Sequence, residues 1–202
     1  MAPRYHQGDE SVCGLLLAAG HARRFGSHKL LHPLPDGSAI GIASARHLAA
    51  ALPHTLAVVR CGDCALAAAL RAENVETVGV SDPVAGMGTS LARGVRASPR
   101  ALGWVVALGD MPFIDPKTIA LVAAQLHAGA LLAAPVYDGR RGHPVGFSRA
   151  LGCELRNLRG DAGGREILER HGAELCLVPV DDPGILKDID HPAQLPRLPA
   201  AG

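Results

Sequence analysis

The chain has 202 residues, 48% of them hydrophobic and 19% charged, which excludes a disordered polypeptide and supplies enough apolar material for one layered α/β core. Twenty Lys and Arg against 19 Asp and Glu leave a formal net charge of +1, without the basic excess of a dedicated nucleic-acid binder. Aromatic residues make up only 3%, so the core must come from Ala, Leu, Val and Ile, and the shortage argues against stacking platforms for single-stranded nucleic acid.

Residues 1–10 are polar and read as a flexible N-terminal tail with no apolar signal-peptide core. No run approaches the ~18 apolar residues of a membrane span. A cytoplasmic location and a single domain over residues 11–202 are therefore expected. Residues 12–19 form a continuous apolar run, suited to a strand buried on both faces, and lead into a Gly/Arg-rich loop over 20–26. Residues 40–52 are Ala-rich with helical spacing and stop at Pro53. Strands are expected at 55–59, 75–80, 104–108 and 131–136, alternating with helices at 65–72, 87–97 and from Asp115-Pro116 to about His127. Beyond that the alternation breaks. Residues 137–147 are turn-rich and read as a loop or hairpin. A short helix is expected at 163–171, a strand at 175–179 and a last short helix within 189–195. Such alternation implies a doubly wound α/β fold with a mostly parallel sheet. Five cysteines are dispersed. Cys61 and Cys64 have C-x-x-C spacing, but no second pair completes a structural zinc site, so they read as reduced thiols, with a redox or metal role as the alternative.

Five stretches carry chemistry. In Leu17-Ala18-Ala19-Gly20 a buried strand runs into glycine turns, followed by Arg24 and Lys29. Glycine lets backbone N–H groups approach an anion, and the two cations suit a polyphosphate; an ordinary βα turn with surface basic residues is the plainer reading. Asp110 follows a buried strand, where open α/β sheets bind ligands and where a carboxylate suits a hard divalent cation; a tight-turn Asp is the alternative. Asp188 and Asp190 alternate onto one side of a short extended segment and could share a cation, or Asp190 could cap the helix that Pro192 enters. Gly86, Gly88, Thr89 and Ser90 stand before a helix, with N–H groups and hydroxyls for a nucleobase edge, or as a plain helix start. Arg141, His143 and Pro144, with Asp161, Gly163 and Arg165 downstream, offer Arg and His to an anionic second substrate.

Together these motifs resemble the nucleotidyltransferases of molybdenum cofactor biosynthesis, with the cytidylyltransferase group as the best likeness. The likeness runs from about residue 12 to 195. It rests on the Gly109-Asp110-Met111-Pro112, Arg141-Gly142-His143-Pro144-Val145, Gly160-Asp161 to Arg165 and Asp188-Ile189-Asp190 stretches in that order. The resemblance implies a Rossmann-like three-layer α/β/α (GT-A-like) nucleotidyltransferase fold with one mixed-direction strand. It implies that Leu17, Ala18, Ala19, Gly20, Arg24 and Lys29 hold the triphosphate, and that Gly86, Gly88, Thr89 and Ser90 lie against the base. Asp110 would bind Mg²⁺, with Asp188 and Asp190 supplying the other carboxylate. Arg141, His143, Pro144, Asp161, Gly163 and Arg165 would face the pterin. Arg24, Lys29 and Asp110 would be the catalytic residues. The implied reaction transfers CMP from CTP to molybdopterin, releases pyrophosphate and needs Mg²⁺. A recipient molybdoenzyme is the implied protein partner, with no nucleic acid and no membrane. The Ala18-Ala19-Gly20 opening and His28 before Lys29 differ from the Ala-Gly-Gly opening and Asp-Lys of guanylyltransferase relatives, which favours CTP over GTP. The alternatives are a GTP-using guanylyltransferase, a sugar- or polyol-phosphate nucleotidyltransferase, and a nucleotide-binding accessory factor for a molybdoenzyme.

Overall fold

Leu15 and Leu16 are neighbours on one strand, point to opposite sheet faces, and are both fully buried. A strand in that position must be central in the sheet and covered by helices on both sides. The computed structural model describes residues 11–20, 25, 28–81, 86–161 and 163–195. The expected tail over 1–10 and Arg24 lie outside the described residues.

Among the described residues the strands are β1 (Val12–Leu17), β2 (Thr55–Arg60), β3 (Glu76–Val80), β4 (Gly103–Leu108), β5 (Leu132–Tyr137), β6 (Arg140–Arg141), β7 (Val145–Ser148) and β8 (Leu175–Pro179). They make one sheet in the order β3-β2-β1-β4-β7-β5, with β8 on the far edge of β5 and β6 pairing with the end of β5. The ladders β1–β2, β1–β4, β2–β3 and β5–β8 are parallel. Only β7 and the short β6 run against the rest, so the turn-rich stretch after β5 is a hairpin that inserts its second arm between β4 and β5.

The helices are α1 (Ile40–Ala51), α2 (Cys64–Ala72), α3 (Gly86–Ala97), α4 (Pro116–His127), α5 (Gly152–Asn157) and α6 (Arg165–Arg170). The pleat sorts the core into two layers. Leu16, Ala57, Val105 and Ala133 face α1, α2 and α4, while Leu15, Leu56, Trp104, Val106, Leu132 and Phe147 face α3, α5 and α6. The result is the expected three-layer α/β/α arrangement with a mostly parallel sheet. Element ends shift by a residue or two from the sequence expectation. The six-residue helix α5 was not foreseen, and the final helix is reduced to a 3₁₀ turn at Pro192–Gln194. No helix is long and apolar enough to cross a membrane among the described residues.

Asp182, a carboxylate the sequence reading passed over, ties the C-terminal segment to this frame. It is buried and accepts hydrogen bonds from the Asp115 N–H (2.9 Å), the Thr118 hydroxyl (2.8 Å) and the Gly184 N–H (2.9 Å). It thereby fixes the start of α4 and the 3₁₀ turn Pro183–Leu186 to each other. Asp182→Ala strands these donors, and because hydrogen bonds to a charged acceptor carry more than neutral ones, the expected loss is about 2–4 kcal/mol in urea unfolding. A loss below about 0.5 kcal/mol, the range of an ordinary surface substitution, would contradict this role.

Candidate active site

The strand order reverses between β1 and β4: β2 and β3 lie on one side of β1, and β7 and β5 lie beyond β4. Ligands of open α/β sheets bind at the carboxyl ends of the strands flanking such a switch point. Leu17 and Leu108 are register partners at that edge, and the Gly109 N–H donates to the Leu17 carbonyl at 3.0 Å. The Ala18 N–H similarly reaches the Val58 carbonyl at 2.9 Å. The residues that follow the two strands, Ala18-Ala19-Gly20 and Gly109-Asp110, are therefore held side by side.

Asp110 is fixed through its backbone from two directions. The Ser44 hydroxyl of α1 donates to the carbonyl of Gly109 at 3.0 Å, and the Ile189 N–H donates to the carbonyl of Asp110 itself at 3.0 Å. The second bond brings in the segment that carries Asp190. Lys29, on the 3₁₀ turn Lys29–Leu31, completes the group: its Nζ donates to Asp110 Oδ2 at 2.8 Å and to Asp190 Oδ1 at 3.0 Å. The lysine is 8% exposed. Burial pulls its pKa down, but the hydrogen bonds and charges of Asp110 and Asp190 outweigh that and hold the ammonium above its ordinary value. His28, just before it, contacts Asp63 at 3.0 Å, the residue that caps α2.

Asp190 does not cap the last helical turn, whose N-cap is His191. The Gln194 side chain instead accepts from the N–H groups of Asp190 and His191, both at 2.7 Å, which leaves the Asp190 carboxylate directed to Lys29. Asp188 is exposed and is held through its main-chain carbonyl by Gln194. Of the two expected metal carboxylates, Asp190 is therefore the one brought to Asp110.

The expectation that glycines leave free N–H groups at the start of α3 needs correction at Gly88, whose N–H donates to the Gly160 carbonyl at 2.8 Å. Gly86 and Gly88 are required here by packing. A Cβ on Gly86 would lie 2.3 Å from the Gly160 carbonyl carbon and 2.4 Å from Asp161 Oδ1, and one on Gly88 would lie 2.9 Å from the carbonyl oxygens of Arg159 and Gly160. Ser90 is buried, and its hydroxyl turns back to the Gly86 carbonyl. The Ala19 methyl is buried against Val58 and Val80. This close seam joins the α3 start to the loop carrying Asp161 and Gly163.

Beside the seam lies a cavity of about 260 Å³. Leu17, Leu91, Val106, Phe147 and Leu168 give it apolar walls, and Arg141, His143 and Arg165 supply its polar groups. Arg165 is paired with Glu169 at 2.7 Å. His143 Nδ1 is buried without a partner. Burial, with the Arg141 charge adding to it, holds the imidazole below its ordinary pKa against the opposing pull of Asp110 and Asp188. The expected second-substrate residues Arg141, His143 and Arg165 are thus brought together, next to the α3 start. Pro144 is buried behind them.

Residues 14–175 match the family described as the MobA-like NTP transferase domain. The chain belongs to that family. It is 34% identical to the purine catabolism protein PucB of Bacillus subtilis, over 91% of this chain and 93% of PucB. The crystal structure of Rv0371c from Mycobacterium tuberculosis superposes with a TM-score of 0.79 at 27% identity, covering 91% of this chain and 95% of that one. A manganese complex of Rv0371c is also similar, at 28% identity and a TM-score of 0.67, over 84% of this chain and 88% of that one. The fold is shared with the molybdopterin-guanine dinucleotide biosynthesis protein A of Archaeoglobus fulgidus, at 21% identity and a TM-score of 0.63, over 91% and 95% of the two chains.

As a MobA-like nucleotidyltransferase domain, the chain depends on groups that its motifs did not advertise. Ser44 is one, and its only sequence signal is a lone hydroxyl inside an Ala-rich helix. Ser44→Ala leaves the buried Gly109 carbonyl without this donor and should cost about 1–2 kcal/mol in thermal unfolding. A variant as stable as the parent would show that the Gly109–Asp110 turn is held without it.

Proposed function

We propose that this MobA-like nucleotidyltransferase domain transfers CMP from CTP to molybdopterin and releases pyrophosphate, with a divalent cation, Mg²⁺, bound at Asp110 and Asp190. The observation that carries the reading is the juxtaposition at the β1–β4 switch point of two carboxylates and a lysine with an apolar cavity whose polar groups are Arg141, His143 and Arg165. The first group suits a triphosphate and its metal, and the second suits a flat heterocycle carrying an anionic tail. Among the described residues no three His, Cys, Asp or Glu side chains gather into a ready-made cage. The residues nonetheless fit a divalent cation. Two carboxylates already converge on one positive charge, and a hard ion that keeps waters and phosphate oxygens as its remaining ligands needs few from the protein.

In this reading a terminal phosphate oxygen of molybdopterin attacks the α-phosphorus of CTP, a phosphoanhydride bond forms, and the bond to the β-phosphate breaks as pyrophosphate leaves. A phosphate nucleophile is already ionised near neutrality, so the protein has to position groups and neutralise charge. The metal, when bound, neutralises charge on the phosphates. Lys29 and Arg24 hold the triphosphate, and the backbone at Ala18–Gly20 lies beneath it. The region around Thr89 at the start of α3 meets the base. Arg141 and Arg165 hold the acceptor's anionic group, and His143, kept neutral by burial, offers it a hydrogen bond rather than a charge.

A guanine reading is favoured by one observation, the fold shared with the Archaeoglobus protein whose name specifies a guanine dinucleotide. The Ala18-Ala19-Gly20 opening supports cytidine. A panel of CTP, GTP, ATP and UTP with molybdopterin and Mg²⁺, followed by pyrophosphate release, separates them. CTP should exceed GTP in catalytic efficiency by at least about tenfold, because polar groups that match one base are left unpaired by another. Equal use of both, or a preference for GTP, would remove the cytidylyltransferase reading. In the same assay Asp110→Asn should lower turnover at least about a hundredfold with the fold intact, since it removes a charged group from the centre of charge neutralisation. Retention of most of the Mg²⁺-dependent rate would contradict the role given to Asp110.

A further inference from the structure

Lys29 lies between Asp110 and Asp190, the two carboxylates to which the proposed function assigns the divalent cation. Its Nζ lies 2.8 Å from one carboxylate and 3.0 Å from the other, using one oxygen of each. The lysine side chain is only 9% exposed, whereas those of Asp110 and Asp190 are 28% and 47% exposed. The ammonium thus sits beneath two carboxylates that are open to the cleft. Two carboxylates brought this close repel each other unless a cation lies between them. The backbone holds them there, through the Ile189 N–H on the Asp110 carbonyl and Gln194 on the Asp190 N–H.

We infer that Lys29 is an internal counter-cation that competes with the divalent metal for Asp110 and Asp190, so that metal binds tightly only when a nucleoside triphosphate draws the lysine away. A metal entering while Lys29 stayed in place would set two cations against one carboxylate pair. A triphosphate supplies new anionic oxygens for the ammonium and frees the carboxylate oxygens. Nucleotide and metal are then coupled through a single side chain, and such coupling is reciprocal. The carboxylate pair would not stand empty at any stage, which keeps its geometry fixed between turnovers. The inference rests on the assignment of Asp110 and Asp190 as metal ligands, and is independent of which base or acceptor is used.

The test is direct binding of Mn²⁺, by electron paramagnetic resonance of the free ion, to the full chain with and without saturating CTP. The proteins compared are the parent, Lys29→Met, Lys29→Arg and Asp190→Asn. Without nucleotide, Lys29→Met should bind Mn²⁺ at least about tenfold more tightly than the parent, a typical size for coupling through one group. CTP should tighten Mn²⁺ binding to the parent by more than it does in Lys29→Met. Lys29→Arg, which keeps the charge, should stay within about threefold of the parent, and so shows whether loss of the cation or disturbance of the fold is responsible. A fifth protein, the Lys29→Met/Asp190→Asn double variant, should lose the gain that Lys29→Met shows alone. If Mn²⁺ binds with CTP in an Asp190-dependent way while Lys29→Met binds no more tightly than the parent, the competition is overturned and the metal assignment stands. If no protein binds Mn²⁺ even with CTP or, in a parallel titration, with GTP, both fall.

Discussion

The bond from the Gly109 N–H to the Leu17 carbonyl, at the point where the strand order reverses, is the contact on which the rest of the site depends. It brings the ends of two central parallel strands level with each other. Everything that follows either strand is then delivered to one place: Ala18-Ala19-Gly20 from β1 and Asp110 from β4. Asp110 is held in place because the backbone polar groups of Gly109 are satisfied by Leu17 and Ser44, and its own carbonyl by Ile189. A carboxylate on an unsupported loop could not hold an ammonium and a second carboxylate in fixed positions.

The C-terminal third of the chain supplies the other half of the site. The arm that returns from β5, made of β6 and β7, runs antiparallel within a mostly parallel sheet and places Arg141 and His143 at the carboxyl edge. The Arg159–Asp161 loop packs so closely on Gly86 and Gly88 that no side chain fits there. The segment after β8 returns Asp190 to Asp110, and Asp182 pins its course to the start of α4. One sheet edge therefore carries both halves: a carboxylate–lysine group at the switch point and an apolar cavity with basic residues beside it. That division matches what a nucleotidyltransferase of the MobA-like family must do, which is to neutralise a triphosphate and orient a second substrate.

Much of this was legible in the sequence. The apolar runs of β1 and β4 and the Asp115-Pro116 start of α4 are local signals, and the structure follows them within a residue or two. The residues around Asp110, Lys29 and Arg141–Pro144 were picked out by charge and glycine placement next to buried strands. What local patterns could not show were pairings across long separations. Asp110 and Lys29 are 81 residues apart, and Lys29 and Asp190 are 161. In the structure the lysine expected at the phosphates contacts both of the carboxylates expected to hold a cation. The N–H of Gly88 was expected to be free for a related reason: the Gly160 carbonyl that accepts from it lies some 70 residues further on. Asp182 and Ser44 gave no motif at all, because their work is to satisfy backbone groups of distant segments.

The account stands most directly on where a metal goes and what Lys29 does when it arrives. Crystals of the protein grown with Mn²⁺ and a non-hydrolysable CTP analogue, measured at the manganese absorption edge, give both in one experiment. The predicted result is an anomalous peak at Asp110 and Asp190, with the Lys29 ammonium displaced onto the phosphates. A peak away from these two carboxylates, or Lys29 still bridging them with metal and nucleotide bound, would contradict it.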